Sequence, residues 1–141
     1  MEGMNPQLFE ILSLTRRGDE RGALVVAEAG RECPFSVARV YWVFGTQPGV
    51  RRGFHAHKRT RQLAVCVAGA CSFLMDDGAR RQNIRLDSPE QGLTIEPGVW
   101  HEMFDFSPDC VLLVLADAPY DEADYIRDYE QFLASVTSES A

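Results

Sequence analysis

Two histidines stand two residues apart in the run GVRRGFHAHKRTRQLAVCVAG, residues 49–69. Residues i and i+2 of a β-strand point to the same side, so His55 and His57 share a face and project into whatever space that face lines. Neutral imidazoles can take up and return a proton near neutral pH, or bind a divalent metal through a ring nitrogen. The third and last histidine, His101, follows the turn signal Pro97-Gly98 in PGVWHEMFD. At this level both chemistries stay open. Gln62, five residues beyond His57, is a poorer ligand for a divalent cation than a carboxylate, and Arg52 and Lys58 oppose a bound cation. Three imidazoles alone could still hold zinc or iron with one position open. Arg51, Arg52, Lys58, Arg59 and Arg61 crowd the same stretch of a chain whose net charge is −7, which suggests a local anion site; taken singly, each reads as a solvated loop residue.

The elements that position these groups are short. Strand-length apolar segments fall at 23–28, 35–44, 54–57, 63–68, 70–75, 80–86, 92–95, 99–106 and 110–116, with Asp76-Asp77-Gly78 as a hairpin signal. That pattern predicts an all-β sandwich or barrel. YDEADYIRDYEQFLASV, residues 120–136, carries Tyr125, Ile126, Tyr129, Phe132 and Leu133 at helical spacing, predicting a short C-terminal helix. The length of 141 residues suits one domain. The acidic balance disfavours nucleic acid as a partner. No apolar run approaches the roughly 20 residues of a membrane span, and the start, with Glu2 and Glu10, is not a signal peptide. Cys33, Cys66, Cys71 and Cys110 form no C-x-x-C pair and read as buried thiols of a cytoplasmic protein.

Gly49, His55, His57, Gln62 and Gly69, followed by Pro97, Gly98, His101 and Asp105, resemble the two sequence motifs of the cupin superfamily, with Gln in place of the usual Glu and Asp in place of the usual Asn. This resemblance implies a cupin jelly roll. A narrower resemblance runs through R-x-Y-W-V-F (39–44), R-R-G-F-H-A-H-K (51–58), L-D-S-P (86–89), G-V-W-H-E-M-F-D-F-S (98–107) and Y-D-E-A-D-Y-I-R-D-Y-E-Q-F (120–132). These segments are similar to the bacterial nucleotide-sugar 3,4-ketoisomerases, small metal-independent cupins that act on dTDP-4-keto-6-deoxyglucose.

The family resemblance implies an isomerase without cofactor or metal, moving a proton between C3 and C4 through an enediol or enediolate. It makes His55 the group that moves the proton, His57 its assistant, and Tyr41 a stabiliser of the enediolate or a proton relay. It places Arg52 and Lys58 on the pyrophosphate, and Gln62, His101 and Glu102 in substrate binding. Arg21 and His101 resemble the members that give the galacto-configured 3-keto sugar. The product would feed an aminotransferase in deoxysugar biosynthesis. The resemblance further implies a homodimer, with residues 1–18 as an extension that could exchange a strand built on Leu8, Phe9, Ile11 and Leu12, residues 19–135 as the domain, and 136–141 as a tail. Three alternatives stand beside this: a metal-dependent three-histidine cupin enzyme, a 3,5-epimerase, and a non-catalytic sugar-binding cupin.

Overall fold

Alternating side chains and Gly- or Pro-marked turns build two facing sheets. The computed structural model describes residues 7–140. The strands are β1 (Ile11–Ser13), β2 (Thr15–Asp19), β3 (Gly22–Val26), β4 (Arg39–Phe44), β5 (Arg52–His57), β6 (Gln62–Ala68), β7 (Cys71–Asp76), β8 (Arg81–Leu86), β9 (Gln91–Ile95), β10 (Trp100–Phe104), β11 (Val111–Ala116) and β12 (Tyr125–Ile126). A 3-10 turn, Glu122–Asp124, precedes β12, and helix α1 spans Tyr129–Ser140. One antiparallel sheet runs β1-β9-β6-β11-β4, the other β12-β5-β10-β7-β8, and β2-β3 form a separate hairpin. This is the all-β jelly roll that the motifs imply, followed by a short C-terminal helix.

Between the sheets lie Ala64, Phe73, Met75, Leu86, Leu93 and Leu112, all at most 1% exposed. A fully buried leucine of this kind contributes about 1.5–3 kcal/mol. Helix α1 packs on the outer side of the second sheet, where Phe132 meets Trp100 and Ala56. Alternation then turns the neighbours of Ala56 and Trp100, namely His55, His57 and His101, inward.

A β-bulge sets the face of β5. His55 pairs with His101 but Gly53 pairs with Glu102, which leaves Phe54 as an extra residue with φ +60°. The extra residue resets the alternation, so Arg52, opposite Met103, comes onto the same side as His55 although the two are three apart. Gly53, at φ +92°, is required here: a Cβ would sit 2.8 Å from the His101 carbonyl oxygen.

Three readings of the sequence are corrected. The helix begins at Tyr129, not near residue 120. Asp121 caps the 3-10 turn by accepting from Ala123 N, and Tyr125–Ile126 is a strand on β5, with Tyr125 opposite His57 and Ile126 opposite Ala56. Pairing along an open sheet edge outweighed helical spacing. Residues 35–38 are not strand; Phe35 instead packs on Leu63, Leu115 and their neighbours. Thr15–Asp19, unread as a strand, forms the hairpin with β3, so position 18/19 falls inside one element. Within the chain Ile11–Ser13 pairs with β9. Residues 1–6 and 141 of the expected extension and tail lie outside the described residues.

Candidate active site

His55 and His57 come from β5 and His101 from β10, which the Pro97-Gly98 turn joins to β5 through a Gly98 N–H bond to the His57 carbonyl (2.8 Å). The ring centroids of His55 lie 4.5 Å from His101 and 5.1 Å from His57, both edge-on. Tyr125 packs against both β5 histidines, at 4.9 and 4.5 Å.

Hydrogen-bond partners fix the tautomers. The Nδ1 atoms of His55 and His101 lie 3.1 Å from the carbonyl oxygens of Gly53 and Val99, and His57 Nδ1 lies 2.9 Å from Asp124 Oδ2. Each partner can only accept, so each Nδ1 carries the proton and each Nε2 presents a lone pair. Burial holds all three rings neutral: it lowers His55 to about 4, pushes His101 well below the usual range, and outweighs the opposing pull of Asp124 on His57.

Asp124 is the carboxylate behind His57. It is 3% exposed and also accepts from Thr60 Oγ1 (2.5 Å) and Arg59 N (2.7 Å). Burial alone would raise its pKa, but these bonds with the one from His57 hold it below the usual carboxylate value. On the facing sheet Tyr41 Oη accepts from Gln62 Nε2 (2.8 Å), which leaves the phenol proton free to donate. Burial pushes Tyr41 up to about 12, so that proton stays in place at neutral pH. His57 Nε2 and Gln62 Oε1 are buried acceptors with no partner among the described residues, two groups placed to receive hydroxyl protons.

His55 opens into a cleft of about 690 Å³, with the buried His57 and His101 packed behind it; the lining includes Arg39, Tyr41, Arg52, His55, Tyr120 and Tyr125. Arg51 and Arg127 also line it but are paired, with Glu102 and Glu122 at 2.7 Å each. Arg39 and Arg52 have no carboxylate partner among the described residues, which leaves two guanidinium groups for a diphosphate. The expected cation cluster therefore divides. Arg59 pairs with Asp121 and Arg61 with Glu96, away from this cleft.

Of the site residues named from sequence, Tyr41, Arg52 and His55 line the cleft, His57, Gln62 and His101 are buried beside them, and three others lie elsewhere. Lys58 follows the inward His57, projects outward and is exposed; it borders a smaller cavity with Pro97, Gly98 and Ser135. Glu102 shares the outer face of β10 with Trp100, whose indole N–H it accepts (2.8 Å), and its other oxygen holds Arg51. Arg21, on the β2–β3 turn, is paired with Asp19 and its side chain is 86% exposed. The reason is strand alternation for the first two and the separate hairpin for the third. Asp124, Thr60 and Tyr125 were missed; residues 120–136 read as helix, so the strand that brings Tyr125 and Asp124 to β5 was not foreseen.

One ring nitrogen from each of His55, His57 and His101 lies within 4.8 Å of the others, a set that could hold a metal ion. Gln62 is a neutral amide bonded to Tyr41, not a carboxylate, and the Arg39 and Arg127 charges disfavour positive charge at His57. The donor set thus admits a cation without calling for one.

Residues 7–137 match the family model described as FdtA: WxcM-like, C-terminal. A TDP-4-oxo-6-deoxy-alpha-D-glucose-3,4-oxoisomerase of Aneurinibacillus thermoaerophilus is 50% identical over 123 residues, 87% of this chain and 88% of the relative. Among solved structures, a 3,4-ketoisomerase from Helicobacter canadensis superposes with a TM-score of 0.89 at 40% identity, covering 92% of this chain and 97% of that one. A mutant of the 3,4-ketoisomerase QdtA from Thermoanaerobacterium thermosaccharolyticum, in complex with TDP-4-keto-6-deoxyglucose, gives 0.91 at 34% identity over 95% and 97%.

Proposed function

The chain belongs to the FdtA (WxcM-like, C-terminal) family, and from that premise we propose that this isomerase converts dTDP-4-keto-6-deoxyglucose to the dTDP-3-keto-6-deoxyhexose. The observation that carries the reading is the convergence of three neutral imidazoles beside a cleft with two guanidinium groups that have no carboxylate partner among the described residues. The diphosphate binds Arg39 and Arg52, which places the sugar toward the histidines. His55 Nε2 takes the C3 proton. The electrons form a C3–C4 enediolate, whose C4 oxygen receives the Tyr41 hydrogen bond. The C3 hydroxyl proton passes to the C4 oxygen and His55 returns its proton to C4, which leaves the ketone at C3 and a hydroxyl at C4; no electrons enter or leave. His57, held by Asp124, accepts from a sugar hydroxyl, and Gln62 Oε1 accepts from another.

We assign the galacto configuration to the product, with Arg21 and His101 as the residues that bear on the face of C4 protonation. His101 stands beside His55, whereas Arg21 is remote from the cleft of its own subunit. A homodimer that exchanges the N-terminal segment would deliver the hairpin carrying Arg21 to the neighbouring cleft. The outer face of the first sheet supports pairing: Val40, Trp42 and Phe44 of β4 are 45, 57 and 68% exposed, an apolar row that monomers rarely leave in water. The keto product is a substrate for an aminotransferase, and a cytoplasmic location suits the four free, buried thiols. Among the described residues no helix is long and apolar enough to cross a membrane.

The three lone pairs also favour a second reading, a metal-dependent three-histidine enzyme. One experiment separates them. Metal-stripped protein is incubated with the 4-keto substrate in deuterated water, with and without chelator, and the sugar is followed by NMR. The ketone is expected to migrate from C4 to C3 at the same rate in both, with an axial C4 hydroxyl. Turnover only after metal is restored sinks the metal-free mechanism; deuterium at C5 without migration indicates an epimerase; binding without change, a non-catalytic module; an equatorial C4 hydroxyl refutes the galacto assignment. Sedimentation of the same sample at micromolar concentration is expected to give twice the chain mass, and a monomer mass argues against the dimer.

A further inference from the structure

The end of the barrel remote from the histidines carries a second cluster of ligating side chains. Cys66 of β6, Cys71 at the start of β7 and Cys110 just before β11 come from three separate segments. Cys66 Sγ lies 3.5 Å from Cys71 Sγ and 3.8 Å from Cys110 Sγ, and all three sulfurs lie within 4.8 Å of one another. Cys66 and Cys71 are 0% exposed and Cys110 is 4%. Cys71 stands four residues along β7 from Met75, the partner of His101, so roughly 13 Å of strand separate the two clusters.

A single buried thiol serves as a small apolar filler. Three in mutual contact have the geometry of a ligand set. Metal–thiolate bonds are about 2.3 Å, which puts three sulfurs around one ion about 3.8–4.0 Å apart; the observed separations need only small side-chain shifts. The connecting segments are already fixed. Ser107 N donates to the Ala70 carbonyl (2.8 Å) and Ala70 N to Ser107 Oγ (2.9 Å), so the loops carrying Cys71 and Cys110 are tied together.

The geometry points to a site in which Cys66, Cys71 and Cys110 bind one soft, thiophilic cation of the copper(I) class. Thiolates select soft ions over hard ones, and the cluster brings three donors, not the four that close a structural zinc site. Each thiol that ligates releases its proton, and the copper stays monovalent throughout. Arg85, bonded to Ser72 Oγ (2.9 Å) next to Cys71, supplies positive charge nearby, shared with its Asp105 partner (3.3 Å). The site is independent of the isomerase reading.

Fully reduced protein is titrated anaerobically with copper(I) against bathocuproine disulfonate, and the copper-loaded protein is examined by X-ray absorption. One equivalent is expected to be withheld from the chelator, with three sulfur scatterers at about 2.3 Å. Cys66→Ser is expected to weaken that binding at least about tenfold, while Cys33→Ser, outside the cluster, retains it. A nitrogen shell, which would put the ion on the histidines, overturns the proposal even if Cys66→Ser does not fold. So does copper(I) that the chelator removes completely, or unaltered binding by a folded Cys66→Ser protein.

Discussion

Replacing His55 with Asn is expected to lower kcat about 10³-fold, the middle of the range for loss of a positioned proton-transfer group, or about 4 kcal/mol of barrier. The amide is close in shape to the ring edge and can still bond the Gly53 carbonyl, but it has no nitrogen lone pair that accepts a proton. The diphosphate contacts proposed for Arg39 and Arg52 are untouched, so TDP binding by calorimetry is expected to stay within about twofold, a shift of about 0.4 kcal/mol. Unaltered turnover removes His55 from its role. The pH dependence follows from the same burial. With His55 lowered to about 4, the wild-type base is neutral across pH 5–8, and the acid limb of kcat/KM is expected near pH 4 rather than 6.5. Stability moves in a definite direction too. All three histidines have folded pKa values below the unfolded value, so the unfolded chain binds more protons as pH drops below about 6.5. Their linked contribution is fully present above that pH and is lost as pH falls toward 4, so the urea midpoint should be lower at pH 5 than at 7.5.

How much of this was legible in the sequence depended on whether a residue's neighbours were local. His55 and His57 could be paired from their spacing alone, because strand alternation is a local rule, and Pro97-Gly98 marked the turn that leads to His101. Arg52 shows where that rule stops. On a regular strand it would face away from His55, and only the bulge at Phe54 returns it to the cleft. No composition signal marks that bulge beyond Gly53, whose demand for a positive φ becomes evident once β10 lies against it. Lys58 and Glu102 failed for the complementary reason. Both are charged neighbours of inward histidines, and being next along a strand puts a side chain on the opposite face. Segment 120–128 is the largest misreading. Its spacing suits a helix, but the unpaired edge of β5 and the buried Nδ1 of His57 offered Tyr125, Ile126 and Asp124 partners that lie 67 or more residues away in sequence.

That distant partner gives the second large expectation. Asp124→Asn is expected to reduce kcat about 10²–10³-fold, approaching the loss seen when an amide replaces the carboxylate behind a catalytic imidazole. The substitution changes no volume. With the amide oxygen toward Arg59 N that bond is kept, and Thr60 Oγ1, which shares the Oδ2 position with His57, can turn to accept from the amide N–H, which favours retention of the fold. The side that faces His57 then presents an N–H where a carboxylate oxygen stood. Nδ1 must give up its proton to accept that bond, the proton moves to Nε2, and the ring turns from an acceptor of the sugar hydroxyl into a donor. A wrong tautomer lowers kcat more than it raises KM, because the nucleotide contacts survive, and nitrogen-15 NMR of His57 should show the protonated nitrogen changing from Nδ1 to Nε2. If Asp124 only braced the loop, stability would fall while the tautomer and the pH profile of the remaining activity stayed those of the wild type. Full turnover in a variant whose tautomer has flipped would show that His57 takes no part in handling the sugar's protons.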